Sequence, residues 1–143
     1  GLDAAICPVG MSVSQVRAAF KRLCEERNVP SHTGWKIFEV SGSPGGQELA
    51  LALLGFVGIL VQVGYGTAEL GFNLSRLMAL DAEIIGTWGC APEDYPDVLA
   101  MCLDGRIALK PFVDVQPMSR IVEVFAAAQR GELRRRVVLV PDG

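Results

Sequence analysis

Three short glycine-bearing segments carry most of the chemical promise of this sequence: Ser41-Gly42, Gly64-Tyr65-Gly66 and Gly86-Thr87-Trp88-Gly89. Glycine lacks a Cβ, so a flat ring or a phosphate can approach the backbone N–H and C=O groups of such segments. Each segment follows residues of strand character, namely Trp35 to Val40, roughly Gly58 to Val63, and Ala82–Ile85. Ordinary turns also use glycine, and one such loop would carry no information. Three at successive strand ends predict a common rim at which a ligand binds. No residue reads as a catalyst. Tyr65 would serve as an acid only with a pKa lowered by its neighbours. His32 lies in a loop before a strand and reads as a surface histidine.

Metal chemistry within the chain is not expected. The cysteines stand at 7, 24, 90 and 102, without a C-x-x-C pair, and His32 is the single histidine. A tetrahedral site needs four clustered ligands. Cys24 and Cys102 fall on apolar helix faces and read as small buried hydrophobes, and Cys90 as the wall of a pocket. A chain of 143 residues, half of them hydrophobic, can build a core without disulfides, which fits a reduced, cytoplasmic setting. A net charge of −3 argues against a nucleic-acid partner, and Arg134–Arg136 is too short a basic run to reverse that. The opening Gly1-Leu2-Asp3 has no basic signal-peptide region. Between Glu48 and Glu69 lie 20 uncharged residues that imitate a membrane span. Their character changes from helix formers (Leu49 to Leu54) to β-branched residues (Ile59 to Val63), so helix, turn and strand are expected instead, and no membrane partner.

The elements that must position these loops are legible. Ala4 to Cys7 reads as a short strand. Ser12 and Gln15 form a capping box opening a helix with Val13, Val16, Phe20, Leu23 and Cys24 on one stripe. Ser43-Pro44 fits an N-cap followed by proline at the first helical position, and that helix runs to about Leu54. A short helix is expected near Leu74–Leu80. Pro92 opens a helix that Gly105 ends. Pro111 to Val115 is extended, Ser119 caps a helix closed by Gly131, and Val137 to Val140 makes a last strand. Alternating strands and helices predict parallel pairing in an α/β fold. A dinucleotide fingerprint G-x-G-x-x-G between strand and helix is missing, and Gly64-Tyr65-Gly66 leads into a loop instead.

Four stretches resemble the carboxyl-terminal half of medium-chain, zinc-type alcohol dehydrogenase-like dehydrogenases. They are Phe38-Glu-Val-Ser-Gly42, Val63-Gly-Tyr65, Ile85-Gly-Thr-Trp-Gly89 and Gly131-Glu-Leu-Arg-Arg-Arg-Val-Val138. Gly34 to Glu39, Leu74 to Asp81, Gly86 to Cys90 and Pro117 to Ser119 look most like the 6-hydroxycyclohex-1-ene-1-carbonyl-CoA dehydrogenases. The resemblance implies an α/β fold with a partial Rossmann, doubly wound parallel sheet lacking its first strands. Residues 1–91 would form the second half of the dinucleotide-binding domain. Residues 92–143 would supply a connecting helix and the return segment of the catalytic domain. It also implies NAD, with Ser41 and Gly42 under the adenosine half and Val63, Gly64 and Tyr65 flanking the nicotinamide. Gly86, Thr87 and Trp88 would lie at the carboxamide, and Arg135 on the pyrophosphate.

The family's catalytic zinc, where present, belongs to a lobe outside this sequence, so this chain carries no catalytic residue and is expected to be inactive alone. The parent protein would take hydride from a secondary alcohol, with a small-molecule or acyl-CoA substrate, as a homo-oligomer joined at the Ala82–Ile85 edge. The strand Trp35–Val40 would lack its inner neighbour. The first strand is expected to move there, or a second copy to pair. Two alternatives stand beside this reading: a non-enzymatic α/β binding or assembly module, and a different medium-chain alcohol or polyol dehydrogenase.

Overall fold

The structure, a computed structural model, describes residues 2–143. The chain divides into a first unit ending at Gly89 and a second from Cys90 to Gly143. The first holds α1 (Val13–Glu26), β1 (Lys36–Glu39), α2 (Pro44–Leu53), β2 (Ile59–Gln62), α3 (Ser75–Leu80) and β3 (Glu83–Gly86). The second holds α4 (Tyr95–Leu103), β4 (Val113–Pro117), α5 (Ile121–Gln129) and β5 (Arg136–Val140).

Local chemistry explains most of these boundaries. Ser12 and Gln15 form the reciprocal capping box on α1, each side chain satisfying a backbone N–H of the other. Ser43 accepts from Gly46 N–H at 3.1 Å, and Pro44 occupies the first helical position of α2. Replacing Ser43 with Ala is expected to cost about 1 kcal/mol, read as a lower urea midpoint at constant slope. The uncharged stretch resolves into the end of α2, a glycine-bearing turn and β2. No helix among the described residues is long and apolar enough to cross a membrane. Within the turn, Val57 adopts φ +52°, a conformation that β-branched residues resist. Its N–H donates to the Leu80 carbonyl at 2.8 Å, which ties the turn to the end of α3. Val57→Gly is expected to raise thermal stability, by about 1 kcal/mol, because glycine adopts that φ without strain.

The first unit forms a three-stranded parallel sheet in the order β1-β2-β3, as the alternation of elements predicts. Its register aligns Ile37, Leu60 and Ile84 in one row, Phe38, Val61 and Ile85 in the next, and Glu39, Gln62 and Gly86 in the last. Leu60 packs with Ala50 and Leu54, and Ile37, Leu51, Leu77 and Ala82 surround them. That buries one face. On the other face Phe38 stays 62 % exposed and Ile85 44 %. Parallel sheets ordinarily bury both faces.

In the second unit β4 and β5 pair in parallel with α5 between them, a single strand–helix–strand crossover.

Two expectations fail. Ala4–Cys7 is not a strand, and it does not move onto the outer edge of β1. A strand needs a ladder partner, and none lies beside this segment. Instead the Arg27 guanidinium donates to the Asp3 carbonyl at 2.8 Å and holds the segment near the end of α1. Ser119 does not cap α5 either. Its hydroxyl and N–H both donate to the Asp142 carboxylate, at 2.9 and 3.1 Å, and α5 begins two residues later, after a 3-10 turn.

Candidate functional site

Parallel pairing sends the carboxyl ends of β1, β2 and β3 in one direction. The loops after β2 and β3 line a cleft of about 590 Å³ there. Val63, Gly64, Tyr65 and Gly66 form one wall, Gly86 to Gly89 another, and Gln47 of α2 and Gln62 complete the lining. Tyr65 and Trp88 present their rings to solvent, 79 % and 90 % exposed.

The backbone at this rim is partly committed. The N–H groups of Val63 and Gly64 both donate to the Glu39 carbonyl at 2.8 Å, and Thr87 N–H donates to the Gln62 carbonyl at 3.1 Å. The Val63 carbonyl and the Trp88 N–H have no protein partner among the described residues. Backbone groups left unpaired at a cleft are free to bond a ligand.

Ser41 and Gly42 do not line this cleft. They lie under the loop that follows β2. Gly42 has φ +64°, and a Cβ built on it would sit 2.0 Å from the Tyr65 carbonyl oxygen. A Cβ on Gly64 would come within 2.2 Å of Gly42 N, and one on Gly66 within 2.0 Å of the Gly42 carbonyl oxygen. These three glycines are therefore required first by the packing of one loop on the other.

Glu39 joins the two loops. It is 4 % exposed, and it is the one charged side chain buried among the described residues. Its Oε1 accepts from Ser41 N–H at 2.9 Å and from the Ser41 hydroxyl at 2.5 Å. Its Oε2 accepts from Gly42 N–H at 3.0 Å and from Gln62 Nε2 at 2.8 Å. Gln62 Nε2 also donates to the Gly64 carbonyl at 2.7 Å. Burial pushes the Glu39 carboxyl upward. The hydrogen bonds from Ser41, Gly42 and Gln62 outweigh that and hold its pKa below the ordinary value.

Arg135 stands in the second unit, just before β5. Its Nη1 donates to Asp114 Oδ1 of β4 at 3.2 Å. Both side chains are about half exposed, so the pair contributes little stability. Guanidinium has five N–H donors, and the pair leaves others available. Arg135 lines a groove of about 710 Å³ with Arg134, Arg136, Phe112 and Phe125.

Cys90, expected as a pocket wall, does not line the cleft and is exposed beside Tyr95. Cys24 is buried, Cys102 half-buried and His32 exposed. Among the described residues no three His, Cys, Asp or Glu side chains come together as a metal site. Sequence reading missed Glu39, Gln62 and Gln47. An acidic residue inside an otherwise apolar strand was the available signal for the first.

No family model matches the chain, and no curated protein matches it significantly. Solved structures do. An alcohol dehydrogenase of the archaeon Aeropyrum pernix superposes with a TM-score of 0.79 at 25% identity, over 99% of this chain and 38% of its own. A protein of Burkholderia ambifaria described as an alcohol dehydrogenase zinc-binding domain protein gives 0.76 at 19% identity, over 100% and 37%. Galactitol-1-phosphate dehydrogenase of Escherichia coli gives 0.71 at 18% identity, over 93% and 39%. The solved structures similar to this chain are thus alcohol dehydrogenase-like, and the chain spans about two fifths of their length.

Proposed function

We propose that this chain supplies the nicotinamide-holding part of an NAD-dependent alcohol dehydrogenase-like oxidoreductase, with the cleft between residues 63–66 and 86–89 as the seat of the ring. The observation that carries this is the free backbone pair at the rim. An unpaired Val63 carbonyl and an unpaired Trp88 N–H match the donor and the acceptor of a primary carboxamide. The glycines at 64, 66, 86 and 89 leave no side chain between that backbone and a flat ring. When bound, nicotinamide supplies the hydride-accepting carbon.

The chain's own part is binding and orientation. The Val63 carbonyl and the Trp88 N–H fix the carboxamide and so select which ring face is presented. The exposed rings of Tyr65 and Trp88 flank the mouth of the cleft. Arg135 belongs to the second unit, where its guanidinium keeps donors that Asp114 does not use; its pyrophosphate role in the parent protein is what the resemblance implies. Ser41 and Gly42 act from below, by supporting the loop that carries Tyr65. The hydride donor in this reading is a secondary alcohol, and resemblance directs it toward a cyclohexene-carbonyl-CoA. The zinc or base that takes the hydroxyl proton would, as the resemblance implies, belong to another part of the parent protein. Residues 1–91 would act as the cofactor half and residues 92–143 as the return segment, in a homo-oligomeric cytoplasmic enzyme.

Trp88 gives a direct test. In a Trp35→Phe background its emission reports on the cleft alone. Saturable quenching by NAD that weakens at least about tenfold in Gly86→Val, where a side chain has room to fold yet stands on the rim, supports the reading. An unchanged titration in Gly86→Val removes this rim from the site. Absence of any response favours the non-enzymatic assembly module.

A further inference from the structure

We propose that Glu39, bridged through Gln62, is the positioning residue that sets the loop at 63–66 for cofactor binding. This rests on the cofactor reading of the cleft. Glu39 does not line the cleft. It faces Gln62 directly across the β1–β2 ladder, which places the carboxylate and the amide side by side. One oxygen gathers Ser41, the other gathers Gly42 and Gln62, and Gln62 passes the restraint to the Gly64 carbonyl. The Glu39 carbonyl meanwhile accepts from Val63 and Gly64. The Gly64 N–H held by the Glu39 carbonyl lies in the same peptide plane as the Val63 carbonyl, and the planes on either side are held through the Val63 N–H and the Gly64 carbonyl. The orientation of the Val63 carbonyl, the group left open to a ligand, follows from those restraints.

A charged acceptor is required here because every neighbour is a donor. In Glu39→Gln the new NH2 meets donors in either orientation: Gly42 N–H and Gln62 Nε2 at one position, Ser41 N–H and Gly42 N–H at the other. The first turns the Gln62 amide away from the Gly64 carbonyl, and the second loosens Ser41 together with Gly42, on which Gly64 and Tyr65 pack. The loop is released either way, although the core around Leu60 is untouched. Core variant Leu54→Ala has the opposite character. It destabilises the fold and leaves the loop bonds in place.

The test compares wild type, Glu39→Gln, Gln62→Met and Leu54→Ala by amide NMR and NAD titration, all at a temperature where each is folded. Both loop variants are expected to shift the amide signals of Gly64 and Gly66, to leave Gly10, Gly105 and Gly131 in place, and to weaken NAD about tenfold or more. Leu54→Ala is expected to lower the melting temperature without weakening NAD. Unmoved Gly64 and Gly66 signals in Glu39→Gln, or affinity lost equally in Leu54→Ala, overturn the positioning role. If the wild type does not bind NAD, the cofactor reading fails by itself, and the Gly64 and Gly66 signals still decide whether Glu39 orders the loop.

Discussion

Gly42→Ala is expected to remove the cooperative unfolding transition of the first unit. A Cβ at this position lies 2.0 Å from the Tyr65 carbonyl oxygen and 2.9 Å from Tyr65 N, so it collides with backbone that no rotamer change can clear. It also holds an L residue at φ +64°, which costs roughly 1–2 kcal/mol by itself. Overpacking adds about 1–3 kcal/mol. The total rivals the entire stability of a small domain, about 5 kcal/mol at the low end. This unit has a small core, with Leu60, Leu54 and Ala50 at its centre. Gly10→Ala provides the control: φ is +76°, but nothing lies within 4 Å of its Cβ, so only the backbone cost applies. Urea unfolding followed by circular dichroism separates the two. A wild-type midpoint for Gly42→Ala would show that the loops at 41–42 and 63–66 do not interlock.

Glu39→Ala is expected to cost about 3 kcal/mol or more, because it leaves the Ser41 and Gly42 N–H groups and the Gln62 amide without an acceptor, each worth roughly 1–3 kcal/mol when buried unpaired. Acid should reproduce part of this in the unaltered chain. The folded carboxyl titrates below the ordinary value of 4.5, so its contribution is complete above that pH. It is lost as pH falls through the lower folded value, since the unfolded state then binds the proton first. Urea midpoints measured from neutral pH downward should fall in this acid window for wild type. The Glu39→Ala chain should show a shallower fall there. Parallel curves would assign the acid sensitivity to other carboxylates.

Elements whose signals are local were legible in the sequence. The Ser12–Gln15 box and the Ser43-Pro44 start each act within one helical turn, and the alternation of helix and strand led directly to parallel pairing. Local signals misled where a distant partner decided the outcome. Ala4–Cys7 has strand character but no neighbour to pair with, and Ser119 has a helix-capping side chain that Asp142, 23 residues on, engages first. The site divides the same way. The glycine loops were visible as types and spacings. That Gly42 supports Tyr65 from beneath, and that Glu39 is buried by facing Gln62, depends on register and close approach between segments 23 residues apart. A charged residue in Phe38-Glu-Val reads from sequence alone as the polar side of a strand.

Hydrogen exchange with and without millimolar NAD reads the two rims themselves. Slowed exchange is expected at the Trp88 amide and across residues 63–66 and 86–89, with α1 and α4 unchanged. Saturable NAD binding with protection elsewhere, and none in those two segments, would contradict the cleft as the seat of the cofactor.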